Sequence, residues 1–517
     1  MQQQQFQHTP GNSIPVTFTD DRNHIAAARP IHWFDANPRH FTGADRAGTT
    51  ILIGGLTVFQ DELLEAGLET GGCKIRALPC PDNQAFQLGK EYGNRGQCNP
   101  TYFTVGNLVK YLQQLHEVEG MSKEEIVKRY VFLTAGTCGP CRFGMYTTEY
   151  RKALRDAGFE NFRVLSFEAG EGIKDVNGEG PTLAITPKFV LSLLRCLISG
   201  DVLNLLGYRI RPYEIEAGMT DRVLTECRDI LAHAMRNKKN MLLALYKCRR
   251  KLQAIKVNRL QVKPKVAIIG EFWAMTTEGD GNYHLQRYLE AEGAEVDIQP
   301  IMNTVLYLLW FVDFQFRQFL LLPDQNNVKE GLDFTPMKKH FLLWLTRTAM
   351  NGWFALYSRI LGLRDYHLSD VAELARLSRE YHSSEVTGGE GPMEIGKLIS
   401  YVKKNKAHLV ISVKPFGCLP SSGVSDGIQS LVTSRYPEAN FLPIETSGDG
   451  AVNVYSRVQM ALFRARKQAQ AEFAAALADK GMDATDVAQQ MEAKWSNALH
   501  TPPHRQACTA ANLVNQL

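Results

Sequence analysis

Charge of one sign is what this sequence has least of. Its 58 Lys and Arg stand against 54 Asp and Glu, leaving +4 on 517 residues. That balance gives no electrostatic footprint for nucleic acid, and the clusters Arg236–Lys239 and Lys247–Lys251 read as solvated faces of helices. The opening MQQQQFQHTPGNS has no basic segment leading into an apolar run, so no secretory signal is expected and a cytoplasmic location is. Ten cysteines in that setting do not make a disulfide framework. They are expected as reduced thiols, metal ligands or packing residues. One stretch, TVLYLLWFVDFQFRQFLLLP at 304–323, has the length of a membrane span but carries Asp313 and Arg317 in its middle. A charge at a bilayer centre costs about 2.5–3.5 kcal/mol, whereas the i,i+4 spacing lets the two pair on one helix face. A helix buried between domains is expected there, and no membrane span.

What is present is an α/β pattern. Hydrophobic residues make up 44% and charged residues 22% of a chain long enough for two or more domains. The spacing predicts a polar N-terminal arm over 1–45, a first α/β domain over 46–185 and a helical connection over 186–262. A second α/β domain over 263–470 and a helical tail over 471–517 complete the expectation. TTILIGGLTVF (49–59), CKIRALP (73–79) and YVFLTAG (130–136) read as strands of the first domain. Ser122 with Glu125 reads as a capping box ahead of a helix. The second domain starts again at KVAIIGEFW (265–273), and AHLVISVKPFGC (407–418) is a further buried strand.

The two domains echo each other. YVFLTAGTCGPC is followed by a helix and ENFRVLSFEAGEG; LVISVKPFGC is followed by a helix and EANFLPIETSGDG. Each unit reads strand, cysteine, helix, strand, acidic glycine loop. The expected fold is therefore two related parallel-sheet halves, Rossmann- or flavodoxin-like, with helical insertions and a helical C-terminal tail. Ligands of such sheets gather beyond the carboxyl ends of strands, where Cys138, Cys141 and Cys418 fall.

Three cysteines sit beside Gly or Pro in loops, unlike packing thiols: Cys98 in GNRGQCNPTYF, Cys141 in CGPCR and Cys418 in FGCLP. Iron–sulfur clusters take thiolates from such backbone-constrained turns, where N–H groups can point at sulfur. The separations exclude a local ferredoxin motif, so a cluster would lie between the halves. CGPC also looks like a thioredoxin-type dithiol that opens a helix, with Pro181 some way downstream, although no Trp precedes it. A structural zinc site pairs two close-spaced knuckles, and only one is present. Cys196, Cys227 and Cys248 lie in amphipathic helices as core residues, Cys508 in a polar tail, and Cys73 packs at a strand start. Cys80 is placed near a cluster or in packing. GPMEIGKL (391–398) matches G-x-x-x-x-G-K but has Leu398 where a Mg²⁺-binding hydroxyl belongs, so an ATPase, if one drives this chain, is a separate polypeptide. His284, His382, Glu271, Glu385 and Glu390 read as capping or polar surface, and no catalytic acid or base is assigned.

These residues together resemble the non-ATPase part of the large activators of the 2-hydroxyacyl-CoA dehydratase/benzoyl-CoA reductase superfamily. The resemblance runs over most of about 50–465. It is carried by LPCPDNQAFQLGKEYGNRGQCNPTYF, TCGPCRFGMYTTEYRKALRDAGF, KVAIIGEFW, GGEGPMEIGKLISYV and LVISVKPFGCLPSS. It implies that Cys98, Cys141 and Cys418 are ligands of an iron–sulfur cluster, either 4Fe–4S or a double cubane, with Cys138 a possible fourth. It further implies an oxidoreductase or dehydratase-like component fed single low-potential electrons by a separate ATPase activator carrying its own cluster. An unknown substrate or acceptor protein would take those electrons, and the chain could form a homo-oligomer. The departures are Asn99 for the usual Tyr, TCGP for a Gly run, and Val458–Gln459 for Leu-Glu. A non-catalytic cluster-bearing adaptor, or a thiol–disulfide oxidoreductase using CGPC, are the alternatives.

Overall fold

The computed structural model describes Asp45 and residues 48–517, except 70–73, 137–140, 169–171, 175–180, 184–185, 322–334, 387–388 and 491–492. The expected N-terminal arm lies outside the described residues, as do Cys73 and Cys138. Residues 37–517 form one unit.

Two sheets organise it. The first contains β1 (Thr50–Ile53), β2 (Lys74–Ala77), β3 (Tyr130–Gly136), β4 (Arg163–Glu168), β5 (Gly172–Lys174) and β6 (Pro181–Leu183), in the order β2-β1-β3-β4-β5-β6. Strands β1 to β4 pair in parallel, and β5 and β6 extend the edge antiparallel. The second contains β7 (Lys265–Gly270), β8 (Glu295–Ile298), β9 (Leu409–Pro415) and β10 (Phe441–Thr446), all parallel, in the order β10-β9-β7-β8. In both, the second strand lies outside the first, and the third and fourth follow on the other side. The duplication visible in the sequence is thus a repeat of strand order. Its strands are continuous apolar runs because helices cover both faces: all seven residues of β9, LVISVKP, are buried.

Local chemistry sets the element ends. Thr57 caps the helix Val58–Leu68 in a full capping box with Gln60. Ser122 caps Lys123–Arg129 by accepting from the Glu125 N–H at 3.2 Å. Helices Pro187–Ile210, Met219–Arg236 and Met241–Leu252 form the connection, and their apolar faces join both sheets in one core running from Ile51 through Cys196 and Val266 to Leu462. Cys196, Cys227 and Cys248 are fully buried in it, as expected.

The apolar run at 304–323 is the helix Ile301–Leu321, with Asp313 wholly buried and 3.3 Å from both Arg317 and Arg347. By length and composition a different stretch, Pro187–Tyr213, could cross a bilayer, but 61% of its most apolar window is packed inside the fold. The GPMEIGKL run is helix from its first residue, within Gly391–Lys403, so no loop cradles a phosphate there.

The C-terminal end corrects the polar-tail expectation. The helix Ala451–Lys480 runs past position 470, and Cys508 caps a last helix, Thr509–Val514, whose six residues are all buried. Its small apolar side chains seat against Ala469 and Ala476, a fit that composition alone hides because single polar residues interrupt the run.

Candidate functional site

Cys98, Cys141 and Cys418 each occupy the cap position of a helical segment, in extended backbone, and none uses its sulfur as the cap. Cys141 begins the helical run that continues through Tyr146–Asp156, just beyond β3. Cys418 follows β9, and Cys98 starts the helix Asn99–Glu117 in the crossover between β2 and β3. Proline in the first turn after Cys98 and Cys418 fixes the backbone where a helix has no use for the N–H.

These three loops meet. The Asn99 N–H donates to the Phe416 carbonyl at 2.9 Å, a backbone bond between the two halves. A Cβ at Gly417 would lie 3.0 Å from the Gln97 carbonyl and 3.2 Å from Cys98 Cα, and φ there is +77°. Only glycine combines that close approach with that conformation. From the third loop, the Arg142 guanidinium donates to the Gly96 carbonyl. Glu149, buried on the following helix, accepts from the Asn94 side chain at 2.7 Å and Gln97 Nε2 at 2.9 Å. Cys98 Sγ lies 3.1 Å from both Thr101 Oγ1 and Tyr146 Oη. Around it, Gln97 Oε1, Asn99 Nδ2 and Arg142 Nε are buried without a partner.

Burial pushes the Cys141 thiol up, the Phe143 N–H eases it, and Glu271 and Cys98 raise it further. Burial, then Glu271, push Cys418 up to about 12. Behind the thiols stands a layer of acids from the second half. Gly270, at φ +129°, closes β7 so tightly that a Cβ would lie 2.0 Å from the Val413 carbonyl. The next residue, Glu271, caps Phe272–Thr276 by accepting the Ala274 N–H at 2.9 Å. Its carboxyl is raised by burial. Glu390 and Glu394 sit at the start of Gly391–Lys403. Burial raises Glu390 to about 7, with Thr304 hydrogen bonding easing it and Glu271 adding to it. Burial, then Glu390 and Glu271, raise Glu394 to about 8. Ser421 Oγ donates to Glu394 Oε1 at 3.3 Å, while the Oε2 atoms of both glutamates are buried and meet no hydrogen-bond partner among the described residues. One turn on, burial lowers Lys397 to about 8, against the pull of Asp297 and Glu390.

The loops that carry the three cysteines singled out in the sequence thus touch, and Cys138 lies outside the described residues. Cys80 is elsewhere, its sulfur 2.8 Å from where a Cβ of Gly279 would stand, and burial with Glu278 pushes its thiol to about 11. Among the described residues no three His, Cys, Asp or Glu side chains are placed to hold a metal ion. The expectation of capping or polar surface fits His284, whose ring meets Asp280 at 3.1 Å, and the exposed Glu385. It is corrected for Glu390, which is half-buried and caps nothing through its side chain, and is half right for Glu271, a half-buried cap. His382 is half-buried against Gly391, its Nδ1 unpartnered. Sequence reasoning missed Glu394 and Lys397. Their signal is the i,i+4,i+7 spacing of Glu390, Glu394 and Lys397, three charges on one face of a helix whose residues 391–400 are all buried. Comparison with known proteins finds no family model and no curated relative that matches the chain.

Proposed function

We propose that this chain is an iron–sulfur electron-transfer component, a reductase, with Cys98, Cys141 and Cys418 as thiolate ligands and Cys138 as the candidate fourth. The observation that supports the reading is the contact between the three loops that carry these cysteines, two from the first half and one from the second. Polar groups around Cys98 support the reading. Two hydroxyls lie on Cys98 Sγ, and Asn99 Nδ2 and Arg142 Nε are donors left over in the same loops. Hydrogen bonds to sulfur of this kind tune a cluster's potential. When bound, a cluster of this type supplies one-electron chemistry. The chain's own part is to hold the thiolates, exclude water and set the polarity around them. In keeping with the resemblance to activators of the 2-hydroxyacyl-CoA dehydratase superfamily, a separate ATPase with its own cluster would supply the electron. A substrate or acceptor protein would receive it.

A dithiol enzyme is the weaker reading. Reactive dithiols need a lowered thiol pKa, and burial with Glu271 pushes Cys141 the other way. Metal coordination removes that obstacle, since a bound thiol loses its proton outright. The test is iron and acid-labile sulfide per chain after anaerobic reconstitution, with EPR of the dithionite-reduced protein. About four irons indicate one cubane and about eight a double cubane. Absence of iron, with Cys138 and Cys141 titrating as a redox pair, overturns the cluster reading in favour of the dithiol.

A further inference from the structure

The helix Thr335–Leu361 is apolar on both its sides. One side, through Met350, Phe354 and Tyr357, is buried in the main core. On the other, every exposed residue from Phe341 to Leu356 is uncharged, and Phe341, Leu342, Trp344 and Leu345 stand 46–62% exposed. The helix Ile301–Leu321, packed against it, adds exposed Leu308 and Val312. A helix apolar all round belongs inside a core or against a membrane, and clustered exposed apolar side chains mark a contact surface. This face is held outward. Asp313, wholly buried on Ile301–Leu321, meets His340 and Arg347 of Thr335–Leu361, and these bonds fix how each helix is turned against the other.

Charge decides what the face fits. Thr335–Leu361 contains Lys338, Lys339, Arg347 and Arg359 and no acid. Met241–Leu252, which packs against it, also has no acid, and its exposed Leu243 and Tyr246 stand beside exposed Lys247 and Arg250. The two other helices of this group, Pro187–Ile210 and Ile301–Leu321, hold one acid each, Asp201 and Asp313, and both are buried. Four adjoining helices thus show solvent cations and apolar side chains but no exposed acid, on a chain whose whole charge is only +4. A second copy meeting the first across this face would set like charges together, because a two-fold interface pairs a patch with itself. An anionic bilayer offers the complement: phosphates for the cations and an apolar layer beneath them for Trp, Phe and Leu. We propose that the outer face of Ile301–Leu321 and Thr335–Leu361 docks on an anionic lipid surface, with Phe341, Leu342, Trp344 and Leu345 entering the headgroup layer and Lys338 and Lys339 meeting its phosphates. Held to the core through Met350, Phe354 and Tyr357, the helix lies along the surface and does not cross it. The inference is independent of the cysteine site.

The experiment is flotation of the full chain with vesicles of phosphatidylcholine alone and of equal parts phosphatidylcholine and phosphatidylserine. The expected result is binding to the mixed vesicles that weakens with added salt, and at least about tenfold less binding to phosphatidylcholine alone. Lys338→Glu with Lys339→Glu is expected to lower binding to the mixed vesicles by at least about tenfold. Phe341→Ser with Trp344→Ser should lower it by a similar factor. No flotation with either vesicle overturns the proposal, and so does flotation that both double variants retain. A chain that stays off both vesicles but sediments as a dimer, broken by Phe341→Ser with Trp344→Ser, overturns it in favour of a second copy. The lysine pair changes only exposed side chains, so it decides the matter even where the apolar variant fails to fold.

Discussion

In the first sheet the crossover from second to third strand delivers a cysteine, Cys98; in the second sheet the matching crossover delivers Glu390, Glu394 and Lys397. The strands that follow, β3 and β9, deliver one further cysteine each. Strand order, the cysteine after the third strand and the helix after that cysteine are common to both halves, so they belong to the scaffold. The long crossover is where the halves part. One brings a sulfur with hydroxyls around it, and the other brings carboxyls each with one oxygen unmet among the described residues. A duplicated scaffold has become two-sided, with a thiol from the long crossover of one half and acids from that of the other.

The comparison breaks most sharply at the cysteines. Cys98→Ser and Cys418→Ser, one from each half, are each expected to abolish iron incorporation, whereas Cys80→Ser keeps it; iron analysis after reconstitution checks all three. Retention of iron in Cys418→Ser would confine the site to the first half. Next come the turns that follow the first strand of each sheet. Gly270→Ala forces a Cβ to 2.0 Å from the Val413 carbonyl at φ +129°, and a loss of about 3–5 kcal/mol in chemical denaturation is expected. Gly54→Ala meets the Leu78 side chain at 3.3 Å and Asp61 Oδ2 at 3.9 Å, and should cost no more than about 1 kcal/mol. Equal losses would show that the halves do not differ there.

The smallest effect sharpens the contrast between buried acids. Asp61, in the first half, is raised to about 7 by burial although the Gly55 and Leu56 N–H groups donate to it at 3.2 and 3.3 Å. Glu394 is raised to about 8 with an oxygen unmet. Both folded-state values lie above the unfolded ones, so the folded chain holds more protons. Stability is therefore fullest below the unfolded carboxylate value, and it falls as pH rises toward 7 for Asp61 and 8 for Glu394. Melting temperatures of Glu394→Gln should decline less than those of the natural chain between pH 5 and pH 8. Asp61→Asn should flatten only the part below about pH 7, each by about 1–2 °C. A steeper decline in Glu394→Gln would contradict the neutral-acid assignment.

Much of this was legible in the sequence, for physical reasons. Apolar runs closed by glycine give parallel strands whatever surrounds them, and cysteines flanked by Gly and Pro mark turns that tertiary packing does not move. That is why Cys98, Cys141 and Cys418 could be singled out. The acids were harder. A helix buried on all sides carries no amphipathic stripe, so Glu394 and Lys397 looked like part of a failed phosphate loop, and only the packing of Gly391–Lys403 shows that they face inward. The β5–β6 extension escaped for a related reason: three-residue strands within a glycine-rich acidic loop leave no readable period. Cys508 was misplaced because burial of the last helix depends on the alanine face of a helix far away in sequence.

The backbone bond from the Asn99 N–H to the Phe416 carbonyl has a consequence for the birth of the protein. Translation releases Cys98 and Cys141 long before β9 and Cys418 leave the ribosome. Until that seam closes, the early thiols lack the neighbours from the second half that shield them from water. Through that interval the nascent thiols are open to oxidation and depend on the reductants around them for protection.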